Sequence, residues 1–307
     1  MSQNCCNVNR SNNMNHSIIN EIKVSKKKNT HQPHSEMVTI KGGKFKMGSE
    51  DEDINPFDIE APVRTVSVED FQIDITTVTN REFQQFVLDT GYMTEAERYG
   101  WSFVFHLLID EKNMKYAKYR AQQTPWWIVV EGATWKHPEG PLSDIDDRMD
   151  HPVVHVSWND AVAYCKWAGK RLPTESEWEY AARGGLEQNR YPWGNELLID
   201  GEHQCNIWQG TFPTYNSQED GYLGTAPAQS FKPNQYGLYN MVGNVWEWCA
   251  DTFDVNKPQL GKVMRGGSFL CHDSYCNRYR VSARTHNTPD SSASNIGFRC
   301  VKDLKTC

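Results

Sequence analysis

The most unusual part of this sequence reads Arg265-Gly266-Gly267-Ser268-Phe269-Leu270-Cys271-His272-Asp273-Ser274-Tyr275-Cys276-Asn277-Arg278-Tyr279-Arg280. Two of its cysteines, Cys271 and Cys276, are five positions apart. Residues at this spacing face opposite sides of a strand and diverge by roughly 140° on a helix, so the thiols can meet only where the backbone turns. The polar run His272-Asp273-Ser274 suits such a turn. We therefore predict an irregular loop that brings two thiols together.

Two adjacent thiols have three uses, and their spacing does not choose between them. They can form a structural disulfide bond. They can belong to a zinc site together with His272 and His286, although the spacing fits no common zinc-finger pattern. As thiolates without other ligands they would prefer Cu(I), a soft ion. All three uses remain open at this point.

Outward from this loop, the chain divides into one large domain and two short tails. Residues 1–36 are rich in Asn, Ser, Lys and His and have no apolar periodicity, which predicts a disordered tail. We expect Cys5 and Cys6, which lie in that tail, to take no part in the folded domain. We assign residues 37–302 to the domain and residues 303–307 to a C-terminal tail. Alternating and apolar runs predict strands at Met37–Ile40, Lys44–Met47, Arg64–Val68 and Phe71–Asp74.

Three helices are predicted from their capping residues. Ser or Thr followed three positions later by an acidic residue indicates a capping box, and glycine commonly ends a helix. These signals predict helices that begin after Thr79, Ser157 and Thr174 and end at Gly91, Gly169 and Gly184. Long Asn-, Gly- and Asp-rich stretches follow from Pro192 onward, so the C-terminal half is predicted to be rich in loops.

The composition disfavours several classes of function. The chain has 307 residues and a net charge of −7, which disfavours a nucleic-acid partner. Mean hydropathy is −0.70, and no window approaches 18 consecutive apolar residues, so we expect no membrane span. Residues 1–36 lack the apolar stretch of a signal peptide, which favours the cytoplasm. No glycine-rich phosphate loop is present to support nucleotide chemistry.

One long block identifies a family resemblance. The stretch from Cys271 onward, through Asn287-Thr288-Pro289-Asp290-Ser291-Ser292-Ala293-Ser294-Asn295-Ile296-Gly297-Phe298-Arg299-Cys300, closely resembles the C-terminal signature of the formylglycine-generating enzymes, or sulfatase-modifying factors. Similar family blocks are Gly169–Glu175, Tyr191–Asn195 and Gly237–Trp248. The resemblance covers about Met37 to Val301. It implies a single α+β domain of the C-type lectin-like, sulfatase-modifying type, with little regular secondary structure.

The resemblance also implies a reaction. In that family the residues that match Cys271 and Cys276 bind one Cu(I), the substrate thiolate joins as a further ligand, and dioxygen reacts there. A cysteine in a Cys-x-Pro-x-Arg segment of an unfolded sulfatase becomes Cα-formylglycine. Ser268, Trp246 and Tyr275 match residues of the same active site. The implied partners are an unfolded sulfatase, molecular oxygen and a thiol reductant, and we expect a monomer without nucleic-acid or membrane partners.

Two calcium sites are implied in the same way. One would use Asn206, Ile207, Asp220 and Tyr222, and the other Asn240, Gly243, Val245 and Glu247. Carboxylate, amide and backbone carbonyl oxygens are the ligands that Ca²⁺ prefers.

The remaining cysteines give weaker expectations. Cys165 and Cys300 match a family disulfide, so we expect a bond or a close contact. That disulfide would favour an oxidising compartment, but we give the missing signal peptide more weight. Cys205 and Cys249 are a suggested pair, and Cys307 has no evident partner. Many animal relatives have a second disulfide at the positions that are Ala182 and Val281 here.

The main alternative is a non-catalytic peptide- or protein-binding paralogue of the same fold. Inactive paralogues are expected to lack the pair formed by Cys271 and Cys276, so its presence favours an enzyme. Iron-dependent sulfoxide synthases share the domain, but they carry an additional N-terminal domain that a tail of 36 residues cannot hold. For the acidic residue that receives the substrate arginine, Glu95 and Glu97 are the candidates. His272 stands where relatives often have arginine, and we expect it to cap the turn.

Overall fold

The computed structural model describes residues 8–10 and 35–304. Within these ranges the helices are α1 (Asn80–Thr90), α2 (Glu95–Tyr99), α3 (Trp158–Ala168) and α4 (Glu175–Arg183). The strands are β1 (Met37–Ile40), β2 (Gly43–Met47), β3 (Arg64–Val68), β4 (Phe71–Asp74), β5 (Trp101–Phe105), β6 (Ala117–Arg120), β7 (Trp127–Glu131), β8 (Leu198–Ile199), β9 (Glu202–His203), β10 (Gly210–Thr211), β11 (Tyr215–Asn216), β12 (Trp246–Thr252), β13 (Lys262–Arg265), β14 (Arg284–Asn287), β15 (Ile296–Gly297) and β16 (Val301–Asp303). These elements are short, and loops join them, which confirms the predicted α+β fold with little regular structure. None of the helices in these ranges has the length and apolar character needed to cross a membrane.

The strands form three small sheets and three two-stranded ribbons within the described ranges. Strand β4 lies between β1 and β16, so the first and last strands of the domain pair antiparallel with the same neighbour. A four-stranded sheet has the order β14-β13-β12-β15, and a three-stranded sheet has the order β5-β7-β6. The ribbons are β2–β3, β8–β9 and β10–β11. The four predicted strands are confirmed, but β1 and β2 pair with β4 and β3 rather than with each other.

The helices begin and end where their caps predicted. Complete capping boxes precede α1, α3 and α4, and glycines in the left-handed conformation end them at φ values of 66°, 67° and 57°. Helix α2, which was not predicted, has the same arrangement between Thr94 and Glu97. Aromatic side chains then join α1 to α3, since Phe83 stacks on Tyr164 with ring centroids 5.9 Å apart. The local signals therefore fix the helices, and the apolar faces hold them together.

The loop with the two cysteines connects β13 to β14, which are adjacent antiparallel strands. Two glycines let the chain leave β13. Gly266 and Gly267 have φ values of 92° and 74°, and a Cβ on Gly267 would lie 2.9 Å from the carbonyl oxygen of Arg278. No other residue type fits there without moving the backbone of the loop. The close approach holds the start of the loop against its own end.

Buried ion pairs fix this loop to distant parts of the chain. Arg278 pairs with Asp58, and Arg280 pairs with Glu60 at 2.8 Å. Further buried pairs in the described ranges are Arg284–Glu175, Arg265–Glu175, Arg265–Glu179, Arg183–Glu179 and Arg299–Glu247. Removing one partner of a buried ion pair leaves an uncompensated charge that costs about 3–5 kcal/mol. The surroundings of the cysteines are therefore rigidly held by charge as well as by packing.

Part of the N-terminal tail packs against the domain. The side chains of Val8 and Arg10 are only 3% and 4% exposed, and Val8 belongs to the hydrophobic core. The prediction of a disordered tail over residues 1–36 is therefore wrong for residues 8–10, because hydrogen bonds to the folded domain hold them there. Cys5 and Cys6, and Cys307 at the other end, lie outside the described residues. Strand β16 ends at Asp303, one residue beyond the predicted domain boundary.

Candidate active site

The loop between β13 and β14 brings Cys271 and Cys276 into contact. Their sulfur atoms lie 3.0 Å apart without a disulfide bond between them, and neither residue is exposed to solvent. The backbone turns between them as predicted, because the N–H groups of Tyr275 and Cys276 both donate to the carbonyl oxygen of His272, at 3.0 and 2.7 Å. The ring nitrogen Nδ1 of His272 lies 2.7 Å from Ser274 Oγ. His272 thus supports the turn, as expected.

Positive charge and a backbone donor surround the two sulfur atoms. Arg278 Nη1 donates to Cys276 Sγ at 3.8 Å, and the backbone N–H of Ser268 donates to Cys271 Sγ at 3.4 Å. Both contacts favour a thiolate over a neutral thiol. Arg278 is itself held by Asp58, whose pKa is raised chiefly by burial. Neither Arg278 nor Asp58 was identified as a site residue from the sequence.

Ser268 lies beside the pair with its side chain oriented by a neighbour. Asn295 Nδ2 donates to Ser268 Oγ at 2.9 Å, and both residues are fully buried. The backbone N–H of Leu270 also donates to Ser268 Oγ, at 3.4 Å, so both acceptor positions are used and the hydroxyl proton can point toward a ligand. Asn295 lies within the signature block, but the sequence assigns it no role.

An aromatic cluster continues from the cysteine loop toward the surface. Tyr275 stacks on Phe212 with ring centroids 4.3 Å apart and meets the edge of Trp126 at 4.9 Å. All three side chains are half-buried. Trp208 joins this aromatic wall to the cysteines, since it packs on Phe212 at 5.3 Å and its backbone N–H donates to the carbonyl oxygen of Cys271. The sequence places Tyr275 in the site through the family resemblance, but it does not indicate Trp126 or Phe212.

Trp246 has a different position from the other predicted site residues. It is fully buried in the core, where its Nε1 has no hydrogen-bond partner. It is linked to the site through its backbone, because its N–H donates to the carbonyl oxygen of Asn295 at 2.8 Å. The structure therefore places Ser268, Cys271, Tyr275 and Cys276 on one loop. Trp246 is connected to this loop only indirectly, through the backbone of Asn295.

The first predicted calcium set comes together around Asp220. The backbone N–H groups of Ile207 and Tyr222 donate to its carboxylate at 2.9 and 3.0 Å. Asn206 Oδ1 is buried and has no hydrogen-bond partner. Gln209, which the sequence analysis missed, donates from Nε2 to Asp220 at 2.8 Å and also to the carbonyl oxygen of Ile207. Burial raises the pKa of Asp220, so a nearby cation would be favourable there.

The second predicted calcium set fits a divalent cation less well. Asn240 Oδ1 is again buried without a partner. Glu247, however, binds the guanidinium of Arg299 through both carboxylate oxygens at 2.7 Å and also accepts from Trp178 Nε1. Arg299 already neutralises Glu247. Among the side chains of this set, a cation would therefore find one amide oxygen without a partner, on Asn240, and one carboxylate that is already paired, on Glu247. An ion at this position would have to share Glu247 with Arg299.

The other cysteines have separate environments. Cys165 and Cys300 lie with their sulfur atoms 3.4 Å apart, which is the expected close contact without a bond. Cys205 and Cys249 are both buried free thiols, so the suggested bond between them is absent. Burial raises the pKa of each of these two thiols, with Asp220 acting near Cys205 and Glu175 near Cys249.

The zinc alternative finds no support in the geometry. His286 Nδ1 lies 2.8 Å from the carbonyl oxygen of Leu260, and its ring centroid lies 4.4 Å from that of Phe253. Across residues 8–10 and 35–304, no group of three or more His, Cys, Asp or Glu side chains is arranged to hold a metal ion. Any metal at the cysteine pair would thus be bound by the two sulfur atoms with little further protein ligation.

Comparisons with known proteins agree with this architecture. A family profile described as "Sulfatase-modifying factor enzyme 1-like domain" matches residues 23–304. The formylglycine-generating enzyme of Thermomonospora curvata is 60% identical over 283 residues, covering 87% of this chain and 93% of that protein. A Bos taurus relative named "Inactive C-alpha-formylglycine-generating enzyme 2" is 49% identical, with 86% of this chain and 87% of that protein covered.

A solved structure, PvdO from Pseudomonas aeruginosa, has a TM-score of 0.62 at 24% identity and covers 87% of this chain and 94% of its own. At that identity the likeness shows a shared fold. The profile match and the high identity to curated relatives go further. The chain belongs to the sulfatase-modifying factor family, which includes the formylglycine-generating enzymes.

Proposed function

We propose that the protein oxidises a cysteine in a Cys-x-Pro-x-Arg segment of an unfolded sulfatase to Cα-formylglycine. The observation that carries this proposal is the buried, contacting pair Cys271 and Cys276 beside Arg278. Relatives of high identity are named formylglycine-generating enzymes, which supports the class of reaction. Two sulfur atoms without a third metal-binding side chain are a donor set that fits Cu(I), since soft thiolates select it.

The overall chemistry balances with dioxygen and a thiol reductant. The substrate group CH2SH becomes CHO and releases its sulfur as H2S, which yields two electrons. Two molecules of thiol reductant are oxidised to one disulfide and supply two more. One oxygen atom of O2 is then accounted for in the aldehyde and the other in water. Cu(I), when bound by Cys271 and Cys276, would supply a soft site for the substrate sulfur and electrons for dioxygen reduction.

The protein groups around the pair prepare this site. Ser268, oriented by Asn295, can hold or move a proton at the substrate through its hydroxyl group. Arg278 donates to Cys276 Sγ, a contact that stabilises a thiolate at this position. The aromatic wall of Trp126, Phe212 and Tyr275 limits the access of water to the sulfur atoms.

We also propose calcium at the first predicted set. The buried, unpartnered oxygen of Asn206 and the buried carboxylate of Asp220 support a cation there. An ion at Asn240 and Glu247 is the weaker part of this proposal because of Arg299. Removing calcium with a chelator should lower the melting temperature, and Asp220→Asn should abolish that shift. An equal shift in the Asp220→Asn variant would contradict the first site.

Mass spectrometry of a peptide with the Cys-x-Pro-x-Arg motif tests the function. The peptide is incubated with Cu(I)-loaded protein, oxygen and a thiol reductant, in parallel with Cys271→Ser and Cys276→Ser. We expect conversion of CH2SH to CHO by the wild type alone. Ser268→Ala should bind Cu(I) normally but react about 100-fold more slowly, since it loses a proton-transfer group. Tight Cu(I) binding without any aldehyde would reject the substrate motif.

The second candidate function is peptide binding without catalysis. It is favoured by the Bos taurus relative, whose name describes an inactive protein at 49% identity. Under this alternative the wild type neither binds Cu(I) nor converts the peptide, even with the two thiols shown to be reduced. The pair would then be a structural feature of the loop.

A further inference from the structure

Arg10 from the N-terminal tail occupies a pocket of the domain. Its guanidinium lies 4.5 Å from the ring centroid of Tyr99 and 4.2 Å from that of Trp101. Nη2 donates to the carbonyl oxygen of Trp101 at 2.9 Å and to Ser292 Oγ at 2.8 Å, and Nε donates to the carbonyl oxygen of Asp290 at 3.0 Å. Planar stacking combined with a fork of donors is the manner in which proteins recognise arginine rather than lysine.

Acidic side chains border the pocket, but burial has the larger effect on the guanidinium. The carboxyl groups of Asp290 and Glu95 act on Arg10, whose pKa burial lowers to about 10. Glu95 Oε2 and Arg10 Nη1 are both buried without hydrogen-bond partners. Burial, with Asp160 nearby, raises the pKa of Glu95 to about 7. Of the two acidic candidates from the sequence, Glu95 borders this pocket, whereas Glu97 is used in the capping box of α2.

The residue two positions earlier is bound as well. Val8 is buried, and Asn287 Nδ2 donates to its carbonyl oxygen at 3.0 Å. In the sequence, Cys6-Asn7-Val8-Asn9-Arg10 has the spacing of Cys-x-Pro-x-Arg, with valine in place of proline. Within residues 8–10, the described part of this segment, the buried positions Val8 and Arg10 correspond to the proline and the arginine of the motif.

One loop connects this pocket to the cysteine pair. Asp290 and Ser292 bind Arg10, and three residues further on Asn295 donates to Ser268, whose N–H contacts Cys271 Sγ. Five steps along the chain from Asp290 to Asn295 span at most about 18 Å, and the four steps from cysteine to arginine in the motif span at most about 14 Å. The stretch of chain that joins the pocket to the cysteine pair is thus only one residue step longer than the distance from cysteine to arginine in the motif.

We propose that the pocket of Tyr99, Trp101, Asp290 and Ser292 receives the arginine of the substrate, and that Arg10 of the protein's own tail competes for it. The inference rests on the proposed function, because it takes the substrate motif from there. The tail then acts as an internal competitive inhibitor. Substrate peptide binds only when Arg10 has left the pocket.

Fluorescence anisotropy with a labelled Ser-Ala-Pro-Ala-Arg peptide tests the competition without copper, oxygen or turnover. Full-length Arg10→Ala should bind the peptide about tenfold more tightly than the wild type, as expected if the tail fills the pocket about 90% of the time. Asn9→Ala, which changes the half-buried neighbouring residue, is the matched control and should bind like the wild type. Loss of a purely structural contact would weaken binding, so a gain distinguishes competition from a role in folding.

Trp101→Ala tests the pocket itself. Combined with Arg10→Ala, it should remove most of the affinity gained, because the stacking surface for the substrate arginine is lost. Equal affinity of the wild type and Arg10→Ala would overturn the competition, and an unchanged affinity in the double variant would overturn the pocket.

A labelled peptide of residues 5–12 keeps this inference separate from the proposed function. It should bind Arg10→Ala protein and be displaced by the Ser-Ala-Pro-Ala-Arg peptide, whereas the same peptide with alanine at position 10 should not bind. Binding of the tail peptide without any binding of the other peptide would reject the substrate motif. Binding of the Ser-Ala-Pro-Ala-Arg peptide alone would reject the tail as its competitor.

Discussion

Two cysteine pairs lie in contact in this protein, and they differ in the charged side chain that lies nearest to each. Cys271 and Cys276 are 3.0 Å apart, Cys165 and Cys300 are 3.4 Å apart, and all four are buried. By distance and burial alone the two pairs are equivalent. The first pair, however, comes from one loop, whereas the second joins α3 to the residue before β16, 135 positions away.

The difference lies in what faces the sulfur atoms. Arg278 donates to Cys276 Sγ, whereas Asp74 faces Cys300 and accepts from its backbone N–H at 3.2 Å. Burial raises the pKa of Cys300 well above its ordinary value, Cys165 and Asp74 raise it further, and Lys170, which pairs with Asp74, acts in the opposite direction. The first contact favours a thiolate at Cys276, and the second environment favours a neutral thiol at Cys300 or a disulfide. Each nearest charge has a buried partner, Asp58 for Arg278 and Lys170 for Asp74. Contact between two thiols therefore does not identify a metal site, and the group that contacts the sulfur atoms is what separates the two pairs.

The largest expected effect follows from removing a sulfur atom of the first pair. Cys271→Ser or Cys276→Ser should weaken Cu(I) binding by more than about 100-fold, beyond the loss typical of a residue outside the ligand set. Cys165→Ser should leave Cu(I) affinity unchanged. Competition with a chromogenic Cu(I) chelator measures all three. A comparable loss in Cys165→Ser would break the distinction between the pairs.

A smaller effect is expected from the charge beside the first pair. Arg278→Met removes the positive charge next to Cys276, so the thiols need a higher pH to ionise. Cu(I) affinity at pH 7 should fall by about 10- to 100-fold and recover as the pH rises. Arg278→Lys should retain most of the affinity, because the charge remains.

The control for this variant concerns Asp58, which Arg278 neutralises in the interior. The double variant Arg278→Met with Asp58→Asn avoids an unpaired buried carboxylate and the associated loss of stability. It should show the same pH-dependent weakening of Cu(I) binding. Unchanged affinity at pH 7 in a folded double variant would mean that charge does not separate the two pairs.

The parts of this structure that depend on neighbours in the sequence were predictable. The caps at Thr79, Ser157 and Thr174 identified three helices, and the spacing of Cys271 and Cys276 required the turn that the structure contains. Such features depend on backbone hydrogen bonds within a few residues. The resemblance to a known family then supplied the fold and the site residues that local patterns do not determine.

The parts that depend on distant partners were not predictable. Nothing near Arg278 in the sequence indicates that Asp58 is its partner, since the two are 220 positions apart. The same is true of Arg10, whose pocket is formed by β5 and the loop after β14. A tail of polar composition predicts disorder, and only the tertiary structure shows that an aromatic pocket accepts one of its arginines. Long-range charge pairing is thus the information that sequence patterns lack.

The smallest expected effect concerns the second pair, and it is a change in how the free energy of unfolding depends on pH. Because the pKa of Cys300 is raised in the folded state, the unfolded chain loses this proton first as the pH rises past the ordinary value of about 9. The free energy of unfolding of the reduced protein should therefore be unaffected below that pH. Above it, this group alone makes the free energy of unfolding decrease by at most about 1.4 kcal/mol per pH unit.

The variant Cys165→Val with Cys300→Val removes these ionisable groups at similar volume and should give a shallower decrease between pH 9 and 11. Urea unfolding under reducing conditions at a series of pH values measures the slope. Cys205 and Cys249 are unchanged in this variant, so their contribution remains as an internal reference. An identical slope in the variant would mean that Cys300 ionises as readily in the folded state as in the unfolded chain, and the contrast between the two pairs would be lost.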